Sequence, residues 1–504
     1  MGDDEGFGAG EPARRTYGRP GCCEVTGNRE CQEQGHDAAR GHFISVPLNF
    51  VTEMWSGLYF VVMSNAQEQA RRPVPFRPLS VGLLLSVAVS VVVATSIWGR
   101  RVEEKNVDIK LGAPPLVGKL DWRPSFAVLP AVVLAAVVVL FGPMLSVRLR
   151  ISSLVVVSAV AGAAFTFALA ASDGLSRILD PVVHRTEYWA NLGKLPTAGR
   201  MLDAFATRDF LKYFSVHLKG HPPGFILLLK AMAAVGLGRP WVVGALSYLG
   251  VAMMVAGVLT TTRIVVSEDA ARRCAPFLVV APFAMWLGTS ADAFFAGVGA
   301  MAVAFVAMSL ERSGTAGFRL AGLAGLSLGG LLFLTYATPT FLILPGIITL
   351  SAFDTPWRRR FALAMVALAG LGLVVLIFLA FGFWWVDGLK NTNYFYWHGT
   401  AQFRPWRFFL ASNLGALIYA VGPAVLGGVA SMRRTRLWVL VGSALLCVSV
   451  ATASQYSKGE VERIWVLFYP WMIPAVALLP ARRWWLLAQS TLVIVLQVWL
   501  ISKW

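Results

Sequence analysis

Long apolar runs recur from Val81 almost to the end of the chain, and each approaches the roughly twenty residues that a helix needs to cross a membrane. The 504 residues are 57% hydrophobic and only 14% charged. A soluble domain cannot bury so much apolar length. The sequence therefore predicts an all-α polytopic membrane protein.

The formal net charge of +17 raises the alternative of a nucleic-acid partner. The arginines, however, concentrate in short segments between the apolar runs and do not line one amphipathic face. Short cytoplasmic loops of membrane proteins are enriched in Lys and Arg. We therefore interpret the charge as a topology signal and predict no nucleic-acid partner.

The N-terminal region differs in composition from everything that follows. About the first forty residues are rich in Gly, Glu and Arg, which is typical of disorder. We predict a disordered cytoplasmic leader over residues 1–78 and a transmembrane domain over residues 79–504. Met63 opens a polar, Arg-containing segment before the first span, and this pattern favours Met63 as the native start.

Placing the Arg-rich loops in the cytoplasm gives about thirteen spans, with the N-terminus inside and the C-terminus outside. The segment 100–123 is then outside although it mixes cations with acids. The apolar stretch 222–237 begins with two prolines and carries Lys230, so we interpret it as an interfacial helix within a long outer loop, 172–239. The predicted spans are 80–98, 125–146, 151–171, 240–261, 274–290, 292–310, 319–335, 338–353, 361–383, 413–431, 437–453, 464–480 and 484–501.

Polar residues gather in the loops that this topology places outside. Isolated acids at span ends are costly unless they are solvated or paired, so several of them on one side predict a polar cavity. Transfer of a sugar from a lipid phosphate would need a carboxylate base, cations or histidines for the phosphate, and aromatic rings for the sugar faces. Asp173, at the exit of its span, is well placed as the base. Candidate phosphate or sugar ligands are Arg185, His221, His398, Arg404 and Arg463.

Two later outer loops each allow two interpretations. In 384–409, aromatic residues interleave with polar ones that include His398, Gln402 and Arg404, which suits either sugar binding or an interfacial aromatic belt. In 458–463, the acids and the arginine either hold a phosphate or pair with one another. The residues of that segment that we assign to substrate binding are Glu460, Glu462 and Arg463.

Several motifs occur in an order that resembles the glycosyltransferase C superfamily (GT-C). They are Asp173 after a span, Glu187-Tyr188, His221-Pro222-Pro223, and Asp292 opening a later helix. The order is most similar to glycosyltransferase family 39, which includes the protein O-mannosyltransferases and resembles the lipid A aminoarabinose transferases. The resemblance covers roughly 150–350.

This resemblance implies a polyprenyl-phosphate-linked sugar donor, inversion at the anomeric carbon and a site on the non-cytoplasmic face. It implies Asp173 as the base and Asp292 as a second catalytic carboxylate, and Tyr188 belongs to its Glu-Tyr motif. Tyr336, in a third outer loop, is a further candidate ligand that we assign from the sequence itself. Family members commonly carry an adjacent Asp-Glu pair, whereas Asp173 is followed by Gly174, so Asp173 and Glu187 both stay open as the base. The second loop lacks a full D-x-D motif, so the sequence does not indicate a metal requirement, and a divalent metal stays open as a cofactor.

We therefore predict a glycosyltransferase in a bacterial plasma membrane, with membrane lipids around it and a glycan, lipid or protein as acceptor. The competing classes are a transporter or flippase and a non-catalytic scaffold. A secondary transporter would show two related halves and charges near the bilayer midplane. The sequence shows no such repeat, and its acids lie at span ends.

Overall fold

The computed structural model describes residues 77–105, 107, 109–196, 198–480 and 482–502, and within them the apolar runs are helical. The leader 1–78 lies almost entirely outside the described residues, as does the candidate start Met63. The helices are α1 (Pro78–Glu104), α2 (Leu129–Arg148), α3 (Ile151–Ala170), α4 (Asp180–Val183), α5 (Ala198–Phe205), α6 (Arg208–Leu211), α7 (Val216–Gly220), α8 (Gly224–Ala234), α9 (Pro240–Val265), α10 (Glu268–Val279), α11 (Ala291–Glu311), α12 (Gly314–Leu334), α13 (Thr338–Phe341), α14 (Ile343–Ser351), α15 (Trp357–Ala380), α16 (Trp385–Trp397), α17 (Trp406–Ser431), α18 (Leu437–Ala453), α19 (Val461–Ile464) and α20 (Arg482–Trp499).

In the described part of the chain, eight helices are long and apolar enough to cross a membrane, and a bent helix pair over 461–478 brings the number to nine. The prediction of an all-α polytopic membrane protein is confirmed. The eight are α1, α2 and α3 with their flanking 3₁₀ turns, α9, α11, α12, α15 and α17. The count of thirteen spans is not confirmed.

The remaining predicted spans are short, broken or less apolar. The run 274–290 divides into α10 and a 3₁₀ helix, Pro282–Trp286, because Pro282 cannot continue an α-helical hydrogen-bond ladder. The segments Thr338–Ser351 and Leu437–Ala453 are short apolar helices. Many residues of these segments are buried among the longer helices. A segment enclosed by protein need not match the thickness of the bilayer.

The apolar stretch 222–237 forms α8, whose eleven residues are too few to cross a bilayer. Its first residue, Gly224, lies against the backbone of Phe333 at the end of α12, where a Cβ would collide with the carbonyl. Lys230 donates to the carbonyl of Leu195, 3.1 Å away, within the same outer loop. The loop 172–239 is thus a set of short helices packed on the ends of the long ones.

Small residues let the central helices approach closely. The backbones of α9 and α11 meet where Gly250 faces Gly297 and Ala293, and again where Gly257 faces Ala300. Close contact between backbones is a common way to join helices in a membrane, where lipid removes the hydrophobic drive for association. This helix pair forms the centre of the bundle and sets the position of the first turn of α11.

One end of the bundle gathers the arginines that were predicted to be cytoplasmic. Arg272 donates to the carbonyls of Ser146 and Leu149 at 2.8 and 2.7 Å, so it ties α10 to the α2–α3 connection. Arg436 pairs with Asp354 at 3.3 Å. Contacts between these loops support their assignment to a common side.

The opposite end gathers the predicted outer loops, including the 100–123 segment. That segment contains three two-residue strands, β1 (Gly112–Ala113), β2 (Leu116–Val117) and β3 (Lys119–Leu120). Strand β1 pairs antiparallel with β2, and β3 pairs with the C-terminal β4 (Leu500–Ile501). The segment and the chain end therefore belong to the same end of the bundle as the candidate site.

Candidate functional site

A buried guanidinium, Arg463, joins two carboxylates that come from distant parts of the sequence. Its Nε lies 2.5 Å from Oδ2 of Asp292, and its Nη1 lies 3.3 Å from Oε1 of Glu187. The side chain of Arg463 is 6% exposed, that of Asp292 13% and that of Glu187 14%. We call these three residues, together with His217 and His221, the acidic cluster.

Asp292 is positioned by the turn that precedes α11. Ser290 caps this helix, since its hydroxyl accepts from the backbone N–H of Asp292 at 3.2 Å. The same hydroxyl donates to Oδ2 of Asp292 at 3.1 Å. Thr289, just before the cap, has φ of +58°, a left-handed conformation that a β-branched residue rarely adopts. The turn thus fixes the carboxylate at the start of the helix.

His217 lies between Glu187 and Arg463 and completes a second set of contacts. Its Nδ1 is 2.8 Å from Oε1 of Glu187, although the direction departs from ordinary hydrogen-bond geometry. Its Nε2 is 3.4 Å from Nη1 of Arg463, which can only donate. This assigns the proton of a neutral His217 ring to Nδ1, facing the carboxylate.

The ring of Tyr188 packs against His221 of the acidic cluster and against Phe225. The Tyr188 ring meets His221 edge-on at 5.9 Å and Phe225 at 5.0 Å between centroids. Tyr188 is 2% exposed, and its hydroxyl has no hydrogen-bond partner among the described residues. Nε2 of His221 lies 3.9 Å from Oδ1 of Asp292.

Glu187, His221 and the adjacent Tyr188 have shifted pKa values. Burial alone would raise the pKa of Glu187, but Arg463 and then His217 outweigh it, so that pKa lies below the usual value. Burial lowers the pKa of His221 to about 4 and raises the pKa of Tyr188 well above its usual range. At neutral pH His221 is therefore uncharged beside two carboxylates and one guanidinium.

Glu460, Glu462 and Arg404 belong to a different group of contacts. Glu462 points away from Arg463 and accepts from the backbone N–H of Val117 in β2, 2.7 Å away. Arg404 pairs with Glu460 at 3.4 Å and donates to the carbonyl of Ile109 at 3.0 Å. These three predicted ligands join the outer loops to one another.

The loop 455–460, which leads into Arg463, is held on several sides. Tyr396 donates to the carbonyl of Gln455 at 2.8 Å and accepts from the N–H of Lys458 at 3.1 Å. Asn413 donates to the carbonyl of Ser457 at 2.5 Å and accepts from the N–H of Gly459 at 3.2 Å. Arg404 donates to the carbonyl of Lys458. The approach to Arg463 is therefore fixed by α16, α17 and the segment between them.

The aromatic helix α16 packs against the first outer loop. Thr392 donates to the carbonyl of Lys219 at 2.7 Å, and the Lys219 ammonium lies 5.1 Å from the Phe395 ring centroid. Arg208 stacks on Tyr394 at 4.5 Å and donates to Asn391 at 3.3 Å. These contacts place aromatic rings of α16 beside two cations of the loop that also carries His217 and His221.

The other predicted ligands near α16 are more peripheral. Tyr336 meets Trp385 edge-on at 5.4 Å, and burial raises the pKa of its phenol. His398 is exposed and stacks on Tyr394 at 4.0 Å, and Gln402 donates to the carbonyl of His398 at 3.1 Å. His398 and Gln402 line the exposed part of the outer end, whereas Tyr336 is partly buried.

Asp173 lies in a different setting from the acidic cluster. It forms an ion pair with Arg123 at 3.5 Å, and its side chain is 48% exposed. No described contact links Asp173 to Glu187, Asp292 or Arg463. Arg185 is exposed and has no contact partner in the described part of the chain. The role of Asp173 as the base stays a prediction.

Sequence reasoning missed His217, Lys219, Arg208 and Asn413. His217 lies four residues before the His-Pro-Pro motif, a spacing that one helical turn would bring together. That spacing was a usable signal for His217. Asn413 lies inside an apolar run, where a lone amide gives no indication of its partner.

In the described ranges, no group of three or more His, Cys, Asp or Glu side chains is arranged to hold a metal ion. The acids of the acidic cluster are bridged by a guanidinium. The metal prediction therefore gains no support from side-chain geometry.

No model of a known protein family matches this sequence, and no curated protein matches it significantly. Among solved structures, ArnT from Cupriavidus metallidurans in the apo state is similar at 18% sequence identity and a TM-score of 0.38. The alignment covers 57% of this chain and 56% of ArnT, so it spans little more than half of either protein. Similarity at these values does not establish a shared family or activity.

Proposed function

We propose that this protein is a membrane glycosyltransferase of the GT-C type, which transfers a sugar from a polyprenyl-phosphate donor to a cell-envelope acceptor on the extracytoplasmic face with inversion. The observation that carries the proposal is the acidic cluster itself. Partly buried carboxylates from the first outer loop and from the start of α11, held by one arginine beside the uncharged imidazole of His221, are suited to binding hydroxyl groups and accepting a proton.

The donor phosphate needs cations that are not already neutralised by carboxylates. Lys219 and Arg208 meet this need, since their described contacts are with aromatic rings, an amide and, within the described residues, no carboxylate. Lys219 lies between His217 and His221 in sequence. The ammonium of Lys219 would stabilise the negative charge that develops on an anionic leaving group.

The position of the acids argues against a transporter. A secondary transporter is expected to hold its charged groups near the bilayer midplane, between related halves. Here Asp292 opens its helix, and Glu187 and Arg463 lie in or next to connections at the same end of the bundle. A site at the helix ends suits a reaction at the membrane surface.

The test is sugar transfer by the purified protein in lipid nanodiscs, with a panel of synthetic radiolabelled polyprenyl-phosphate sugars and envelope acceptors. Asp292→Asn is expected to lower transfer by at least about 100-fold, because it removes a charge from the acidic cluster. Asp354→Asn is the matched control, since Asp354 is exposed and pairs with Arg436 at the opposite end. Its activity is expected to equal that of the wild type.

Two further variants address the open choice of base. Loss of transfer in Asp173→Asn with retention in Glu187→Gln would support Asp173, and the reverse would support Glu187. If the wild type transfers no sugar from any donor, the proposed function is wrong. Movement of a labelled lipid-linked sugar across the bilayer would then favour the flippase alternative.

A further inference from the structure

The two ring nitrogens of His221 have different surroundings. Nδ1 lies 3.1 Å from the backbone carbonyl of His217, and a carbonyl oxygen can only accept. In the neutral ring the proton is therefore on Nδ1, and Nε2 carries a free lone pair. That lone pair faces Asp292.

One carboxylate oxygen of Asp292, Oδ1, faces Nε2 of His221 and has no hydrogen-bond donor among the described residues. Its Oδ2 receives hydrogen bonds from Arg463 and Ser290. Its Oδ1 has a single described polar neighbour, Nε2 of His221, at 3.9 Å. Two acceptors at this distance do not bond to each other, and each of them needs a donor.

The buried hydroxyl of Tyr188 is a third group without a partner among the described residues. Its ring packs against His221, and the charges of Asp292, Glu187 and Arg463 all act on its phenol. A buried polar group without a partner is costly unless a ligand or water completes it. Tyr188 thus adds an unpartnered hydroxyl to the two acceptor atoms on Asp292 and His221.

We infer that these two acceptor atoms bind two neighbouring hydroxyls of a carbohydrate acceptor, one donating to Oδ1 of Asp292 and the other to Nε2 of His221. We further infer that His221, rather than Asp173 or Glu187, accepts the proton of the reacting hydroxyl. The inference rests on the proposed function and specifies its acceptor. A serine or threonine side chain offers one hydroxyl and would leave one acceptor unsatisfied. A sugar ring with adjacent hydroxyls satisfies both acceptors.

The step balances without a further reactant. The acceptor oxygen forms a bond to the anomeric carbon of the donor while the bond from that carbon to the phosphate oxygen breaks. The phosphate leaves with the electron pair, and the hydroxyl proton moves to Nε2 of His221. Asp292 then stabilises the imidazolium, as a carboxylate stabilises a charged histidine in other enzymes. Oε1 of Glu187, in contrast, is already engaged by Arg463 and His217.

The first test compares acceptors in the nanodisc assay with a donor that the wild type uses. The panel holds a methyl glycoside with adjacent hydroxyls, its two monodeoxy analogues and a serine peptide. A site built to bind a hydroxyl rejects an analogue that lacks it by orders of magnitude, so only the full glycoside is expected to react well. Equal turnover of the serine peptide or of both deoxy analogues would overturn the carbohydrate assignment.

The second test is His221→Gln, with His184→Gln as the matched control because His184 is exposed and contacts only Thr186 among the described residues. His221→Gln is expected to lower kcat by about 10²–10⁴-fold with donor affinity unchanged, the usual contribution of a general base. Wild-type turnover in His221→Gln would refute the base assignment while leaving the proposed function intact. A wild type that is inactive with every donor would instead refute both.

A third measurement does not depend on turnover or on a folded variant. The chain has six histidines, so selective ¹⁵N-histidine labelling gives a small set of NMR signals. At pH 7 His221 is expected to be neutral with its proton on Nδ1. An imidazolium, or a proton on Nε2, would contradict the inference.

Discussion

At the scale of single residues, Arg463 is the side chain on which the candidate site depends. It neutralises two buried carboxylates that no other described cation contacts. A buried ion pair adds little stability by itself, but removing one partner leaves the other charge buried and unpaired. The energetic effect of a substitution here therefore comes mainly from the carboxylates that remain.

We predict that Arg463→Met lowers the free energy of unfolding by about 3–5 kcal/mol, since Asp292 and Glu187 would both be left without a cation. Thermal unfolding in detergent measures this loss. Arg185→Met is the control, because Arg185 is exposed and has no described partner. Adding Glu187→Gln and Asp292→Asn to Arg463→Met should restore much of the stability. An unchanged melting temperature in Arg463→Met would contradict this reading.

At the scale of the secondary-structure elements, the notable feature is a break in α17. Gly422 has φ of +76° and precedes Pro423, so the helix loses its regular hydrogen bonds there. Gln489 of α20 replaces them, accepting from the N–H of Ala424 at 3.0 Å and donating to the carbonyl of Val421 at 2.7 Å. Helix breaks inside a membrane persist where neighbouring side chains satisfy the freed backbone groups.

Gln489→Leu is predicted to destabilise the protein by about 2–6 kcal/mol, which corresponds to two unpaired buried backbone groups at about 1–3 kcal/mol each. Gln497→Leu on the same helix is the comparison, because Gln497 is half-buried and, among the residues that the structure describes, bonds only to the Ser172 hydroxyl. The loss should appear as a lower melting temperature in Gln489→Leu than in Gln497→Leu. Equal melting temperatures would indicate that water or a backbone shift repairs the break.

At the scale of the whole molecule, the chain separates its loops between two ends. Arginines tie one set of loops together, and the acidic cluster with α16 and the β-strands joins the other set. Positive charge in the first set agrees with the rule for cytoplasmic loops. We expect the acidic cluster to face away from the cytoplasm.

Cysteine labelling tests this orientation. In a background with the leader residues Cys22, Cys23 and Cys31 replaced by serine, Arg185→Cys is expected to react with a membrane-impermeant maleimide from outside intact cells. Arg434→Cys, in a loop predicted to be cytoplasmic, should react only after permeabilisation. Cys274 and Cys447 are buried and should contribute little background. The opposite pattern would invert the topology.

The long spans and a helix in 222–237 that is too short to cross a bilayer were predictable, because hydropathy and proline positions are properties of contiguous sequence. The count of thirteen spans is not confirmed, and it includes apolar segments that are enclosed by other helices, such as 274–290. Hydropathy reports that a segment avoids water, and both lipid and protein provide such an environment.

Sequence alone determined that this is an all-α membrane protein and that Glu187, His221, Asp292 and Arg463 are polar residues within the predicted outer loops or at their ends. Only the tertiary structure decided which of them meet. It joined residues 187, 292 and 463 around one guanidinium, turned Glu462 toward a β-strand and paired Asp173 with Arg123. The reason is physical: burial preference is encoded locally along the chain, whereas the partner of a charge depends on how separate helices pack.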